Sequence, residues 1–234
     1  MKDTAEAQLS GFSGTGAFEN VRLSHQERMR AAFVDFTGNS ENASILEIKL
    51  FPPSSSPAGT DLHASIAQPK LYISSCALVP GGTQAWRYTG AEADPSNGGS
   101  AARCLPYEDG YFDWAYCDGI IERIGAEEEQ LALIHELWRV SRKGIFVTTQ
   151  NKRHPVDFGT GRPFVHWMLR NTEENPSGQI TAEKNRLEKK RYLLDAPALE
   201  KLASTLPGQT SCEIGHVRYL GIKAHFFLMV SKKN

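Results

Sequence analysis

One stretch of the chain, LPYEDGYFDWAYCDGIIERI from Leu105 to Ile124, limits its fold more than any other. An acidic, glycine-containing turn (Glu108, Asp109, Gly110) opens onto a short, mostly apolar run from Phe112 to Cys117. A strand covered on both faces reads as such a run rather than as an alternation, so the pattern predicts an interior strand of a parallel sheet. Ligands of open α/β sheets gather beyond the carboxyl ends of the strands, where loops and unpaired backbone groups converge. Asp118, Gly119 and Ile120 then mark the rim of a candidate site.

Parallel neighbours need crossover connections, and the flanking sequence supplies them. SILEIKL (44–50), KLYISSCALV (70–79) and a weaker GTQAWRYTGAEA (82–93) read as strands one to three. After the central stretch, a helix is expected over 126–142. It has Glu127, Glu128 and Glu129 in its first turn, Arg139, Arg142 and Lys143 at its end, and an apolar stripe of Leu131, Ile134, Leu137 and Trp138, with Gly144 as its stop. GIFVTTQN (144–151) is strand five. Asp195 with Pro197 starts a helix running to Leu206, and SCEIGHVRYLG and HFFLMVSKK form an antiparallel pair at the sheet edge. Nearer the start, Ser24 and Glu27 have capping-box spacing, and Met29, Ala32, Phe33 and Phe36 recur at helical intervals until Gly38. The order is that of a doubly wound, mostly parallel α/β sheet.

With 234 residues, 40% of them hydrophobic, the chain can bury one sizeable core. Residues 1–40 read as an N-terminal arm and helix, about the first 20 of them a loose arm or a partial lid, and 41–234 as the main domain, with 152–194 as a cap. A net charge of -1 argues against nucleic acid as a partner. The one basic cluster, NRLEKKRY (185–192), is interleaved with Glu183 and Glu188 and reads as a solvated helix face. Cys76, Cys104, Cys117 and Cys212 lack C-x-x-C spacing and read as buried reduced thiols rather than metal ligands or a disulfide framework. No leader pattern and no membrane-spanning run is visible, so a soluble, cytoplasmic protein is expected.

Taken together, these segments resemble the class I S-adenosylmethionine-dependent methyltransferases, particularly the UbiE-like (type 11) enzymes. The resemblance covers about residues 40–232 and is carried by Leu105–Ile124, by HELWRVSRKGIFVTTQN and by the terminal helix and hairpin. It implies a Rossmann-like methyltransferase fold of seven strands with the C-terminal strand antiparallel, and S-adenosylmethionine as cofactor. In that family the first strand ends in an acid followed by glycines that let the backbone approach the cofactor. Here Glu47 holds the acidic position, while Lys49 and Phe51 stand where the first two glycines belong. Ser74 and Ser75 stand in place of the ribose-binding acid, and the adenine contact falls near Ala102 and Arg103. Cys117, Asp118 and Gly119 complete the implied cofactor rim.

Methyl transfer needs an aligned acceptor and at most one general base. His154, just past strand five, is the candidate base, and His166 and Trp167 in the cap are candidate acceptor contacts. The acceptor is expected to be a small molecule or part of a glycan or lipid precursor. The altered glycine motif supports the alternative, a catalytically degenerate protein serving as a binding or partner subunit.

Overall fold

The computed structural model describes residues 14–38, 42–50, 62, 72–79, 87–89, 104–158, 161–164 and 191–233. Its centre is a seven-stranded sheet. The strands are β1 (Ser44–Leu50), β2 (Tyr72–Val79), β3 (Arg87–Thr89), β4 (Phe112–Asp118), β5 (Ser141–Gln150), β8 (Gln209–Tyr219) and β9 (Ile222–Lys232), in the order β3-β2-β1-β4-β5-β9-β8. β1 pairs in parallel with β2 and β4, and β4 with β5. β9 is antiparallel to both β5 and β8, so β8 again runs with β5. The doubly wound, mostly parallel sheet with an antiparallel C-terminal strand is therefore present. The short β3 departs from the parallel pattern by folding back antiparallel on β2. A small hairpin, β6 (Val156–Asp157) with β7 (Arg162–Pro163), follows β5 outside this sheet.

Side chains alternate across each strand, which gives the sheet two apolar faces. Leu46 and Ile48 of β1, Ala115 and Cys117 of β4, and Ile145 and Val147 of β5 pack on one face under α2 (Glu127–Val140) and α3 (Ala196–Ser204). Ile45, Trp114, Tyr116 and Phe146 pack on the other with Phe33 of α1 (Gly14–Phe36). Burial from both sides explains why β4 and β5 lack a polar alternation.

Several boundaries differ from the sequence reading. α1 starts at Gly14, so Ser24 and Glu27 lie inside it. Phe18 stacks on Phe158 with ring centres 5.4 Å apart, and this packing holds turns that local capping does not explain. The helix does stop at Gly38, whose φ of 66° suits glycine. α2 ends at Val140 and passes directly into β5, so Gly144 does not stop it. Gly144 instead permits a close strand approach, because a Cβ there would stand 2.2 Å from the Val230 carbonyl oxygen. The expected hairpin closes through Leu220 and Gly221, with φ of 50° and 81°, the two positive values that a tight two-residue turn requires. Asp195 caps α3 as expected, accepting from the Ala198 amide at 3.2 Å.

All four cysteines are free. Cys76 and Cys117 are buried, whereas Cys104 and Cys212 are exposed, against expectation. Arg191, expected on a solvated helix face, instead lies in an irregular segment with its guanidinium turned inward. Among the described residues no helix is long and apolar enough to cross a membrane. Residues 185–190, His166, Trp167, Ala102, Arg103 and Phe51 lie outside the described residues.

Candidate active site at the strand rim

β4 and β5 run side by side to the rim, where Asp118 stands opposite Thr148. The Thr148 hydroxyl donates to Asp118 Oδ1 at 2.5 Å and accepts from the Gly119 amide at 2.9 Å. One hydroxyl thus aims the carboxylate and fixes the turn that follows it. Gly119 has a φ of 61°, and among the described residues no atom lies within 4 Å of where a Cβ would stand. The backbone there is open to close approach by a ligand.

Asp118 and Tyr116 project to the same face of β4, the face that α1 covers. Burial raises the Asp118 carboxyl above its ordinary range, while the Thr148 hydroxyl and the buried Arg30 of α1 pull the other way. Burial and the charge of Asp118 push the Tyr116 phenol well up as well. Cys117 points to the opposite face, fully buried, and its thiol is pushed up to about 12 by burial first and by Asp118 second. A thiol held so far from ionisation serves the core rather than the site.

The β1–β2 side is built differently. The buried carboxylate of Glu47 accepts from the Leu62 amide at 2.9 Å and the Ser75 hydroxyl at 3.3 Å, and it pairs with Lys49 Nζ at 3.3 Å. Lys49 is thus drawn back towards Glu47. Ser74 and Ser75 stand opposite Leu46 and Glu47. β2 runs on to Val79, so these serines lie at least four residues short of the rim.

Behind Asp118 is a second polar cluster. Glu122 Oε2 accepts from the Thr149 hydroxyl at 3.0 Å and the Gln150 amide at 2.8 Å. Arg191 pairs with Asp157 and, at 3.5 Å, with Glu122, and donates to Gln150 Oε1 at 3.3 Å. These bonds tie the chain before α3 to the ends of β4 and β5. His154 is 1% exposed, its Nδ1 bonded at 3.1 Å to the Val156 backbone, and its ring packs near Phe158 and Tyr219.

A small RNA methyltransferase aligns at a TM-score of 0.50 and 13% identity, over 88% of this chain and 25% of its own. The fold is that of the class I S-adenosylmethionine-dependent methyltransferases. Other similar structures are magnesium protoporphyrin IX methyltransferase from Synechocystis with bound S-adenosylhomocysteine (TM-score 0.48, 10% identity, 92% of this chain and 86% of that one). A methyltransferase from Methanosarcina mazei is also similar (TM-score 0.46, 14% identity, 83% and 93%). No family model matches the sequence, and no curated protein matches it.

On this methyltransferase fold, Asp118 and Gly119 come together with Thr148, Tyr116 and Arg30, while Cys117 turns to the opposite face. Glu47, Lys49 and Ser75 group on the neighbouring strands, with Glu47 opposite Tyr116 and its charge adding to the rise of that phenol. Sequence reasoning missed Thr148, Arg30 and Arg191. Thr148 and Thr149 left one trace, a polar pair closing an otherwise apolar run. Arg30 and Arg191 left none, because only tertiary packing turns them inward.

Proposed function

We propose that the chain transfers a methyl group from S-adenosylmethionine to a small molecule or a glycan or lipid precursor. The observation that carries this reading is the half-buried Asp118 carboxylate, aimed by Thr148 beside Gly119, where the described residues leave space. The bound cofactor supplies an electrophilic methyl on a sulfonium. Gly119 leaves room for it, and the implied adenine contacts Ala102 and Arg103 belong to the same proposal. The β1–β2 side fits the family pattern less well, because Glu47 is occupied by Leu62, Ser75 and Lys49.

Asp118 is assigned as the base. The Asp118 carboxylate would take up the proton that the acceptor's O–H or N–H loses on methylation, with S-adenosylhomocysteine as the leaving group. The raised affinity of that group for a proton favours the step. His154 is better suited to packing, since its exposed area is negligible and its Nδ1 is held by the backbone of Val156. Residues 152–194 serve as the cap, with His166 and Trp167 proposed as acceptor contacts, and 1–40 as an arm and helix over the 41–234 domain.

The Lys49–Glu47 ion pair favours a second reading, a degenerate methyltransferase fold acting as a partner subunit. Titration calorimetry with S-adenosylmethionine separates the two. Micromolar binding supports the enzyme and sinks the degenerate reading, whereas no heat at millimolar cofactor sinks the enzyme.

A further inference from the structure

His25, His154 and His225 come from α1, the segment after β5, and β9, and they meet around one phenyl ring. The ring centre of Phe158 lies 5.2 Å from that of His25, 5.1 Å from His154 and 4.7 Å from His225. Tyr219 of β8 closes the cluster at 5.9 Å from His25 and 6.1 Å from His154. His25 and His225 face each other Nδ1 to Nδ1 at 3.3 Å, a contact in which one nitrogen donates and the other must be free of its proton. Two imidazoliums cannot make it. Among the described residues the buried Nε2 of His154 has no hydrogen-bond partner.

The charged groups acting on these rings offer a proton no compensation. Arg28 of α1 acts on His25, and Arg191 acts on His225, both with positive charge. The acids nearest Arg191, Glu122 and Asp157, are already paired with it. Among the described residues no three His, Cys, Asp or Glu are arranged to hold a metal. His25 and His225 therefore pack as neutral rings, each on the side of the cluster where a proton is disfavoured.

α1 is fastened at two places of different chemistry. Its C-terminal half is held by apolar rings: Phe33 lies 4.8 Å from Tyr116 and 5.3 Å from Phe146, and Phe36 lies 5.0 Å from Trp114. Its N-terminal half is held by the histidine cluster and by Phe18 on Phe158. We propose that the cluster is an acid-sensitive latch, in which neutral imidazoles hold residues 18–28 of α1 against the strand rim and mild acid releases them while the Phe33 half stays docked.

Burial lowers His25, with Arg28 and His154 adding to it. Burial first, then His25, His154 and Arg191, push His225 down to about 3. Because these values are depressed, the undocked helix binds protons that the docked one refuses. The latch is fully effective above the free imidazole value of about 6.5 and weakens as pH falls from there towards 3. At pH 5 a free imidazole is about thirty-fold more often protonated than neutral, so a ring that regains the free value on release raises the undocked population about thirty-fold over pH 7.5. Gln150 stands opposite His225 across β5 and β9 and accepts from the Phe158 amide at 3.1 Å. Release would uncover this edge of the rim, and the latch operates whether or not the methyltransferase reading holds.

Hydrogen-exchange mass spectrometry on the full chain at pH 7.5 and 5.0, corrected for intrinsic exchange rates, tests the latch. Residues 18–28 should lose protection about thirty-fold or more at pH 5.0, with residues 30–37 and β5 unchanged. Equal loss in both halves of α1, or loss in neither, overturns the proposal. The double variant His25→Phe/His225→Phe keeps two rings in the cluster but removes their protons, and it should cut the pH dependence of residues 18–28 at least tenfold. A fully retained dependence in that variant also overturns the latch. If the variant does not fold, the wild-type measurement decides alone.

Discussion

The two halves of the strand rim are built on opposite principles. Where β4 and β5 end, a carboxylate, a hydroxyl and a backbone amide are held in a line by bonds of 2.5 and 2.9 Å, and the carboxylate sits beside open backbone at Gly119. Where β1 and β2 run, the one buried acid is turned inward and satisfied by its neighbours, Leu62, Ser75 and Lys49. A buried acid with every partner inside the protein supports the fold, while one that keeps an open side can still do chemistry. Under the proposed function, the β4–β5 half is the one left free to do chemistry, and the β1–β2 half is where activity would be limited.

The largest effect should come from the cluster behind the first half. Arg191→Met leaves Glu122 and Asp157 buried without their cation, and urea unfolding should show a loss of about 3–5 kcal/mol. A loss below about 1 kcal/mol would mean the cluster is not what braces that rim.

Asp118→Asn comes next and separates chemistry from stability. Under the proposed function, methyl transfer followed by S-adenosylhomocysteine release should fall at least about 10²-fold. Stability should hold or rise. A carboxyl raised in the fold binds its proton more tightly there than in the unfolded chain, so its contribution diminishes as pH rises above the ordinary carboxyl range. A clear loss of stability in Asp118→Asn at pH 7 would contradict the strained-carboxylate picture.

Smaller changes probe the second half. Lys49→Gly removes the cation paired with Glu47 and restores the residue type expected there, so calorimetry should show cofactor affinity rising by about tenfold, or about 1.4 kcal/mol. Unchanged affinity would place the limit elsewhere, as at Ser74 and Ser75, where the family resemblance implies an acid for the ribose. If two hydrogen bonds at about 1.5 kcal/mol each are lost there, they account for roughly 150-fold.

The smallest expected change lies at the opposite end of the sheet. Burial alone would raise the Asp113 carboxyl, but the Ser44 amide and hydroxyl, at 2.9 and 3.1 Å, together with Lys143 hold it below its ordinary value. That stability is present above the ordinary carboxyl value and is lost as pH falls below it. Ser44→Ala should cost about 1 kcal/mol at pH 7 and flatten acid denaturation, with neither half of the rim affected.

The sheet was readable because its cause is local. Runs such as FDWAYC and GIFVTTQ must be covered on both faces, and the glycine and acidic turns before them set their starts. The rim was readable only in part. Asp118 and Gly119 follow from their place after a strand, but Thr148, Arg30 and Arg191 are aimed by packing between segments far apart in the chain. The Asp118–Thr148 bond spans 30 residues and the Arg191–Asp157 bond spans 34. α1 was read too short for the same reason, since Phe158 rather than a cap holds its first turns.

The placement of β9 also governs the order in which the molecule can form. β5 is interior in the finished sheet, yet its partner follows it only after a long interval. The Asn151 side-chain amide bonds the Lys223 carbonyl across 72 residues. Until that later hairpin has been synthesised, Ile145, Phe146 and Val147 belong to an unpaired sheet edge, the kind of surface that recruits chaperones or neighbouring chains. Closing so long a loop slows folding more than it weakens the product. Translation speed between the two strands would then influence yield more than equilibrium stability.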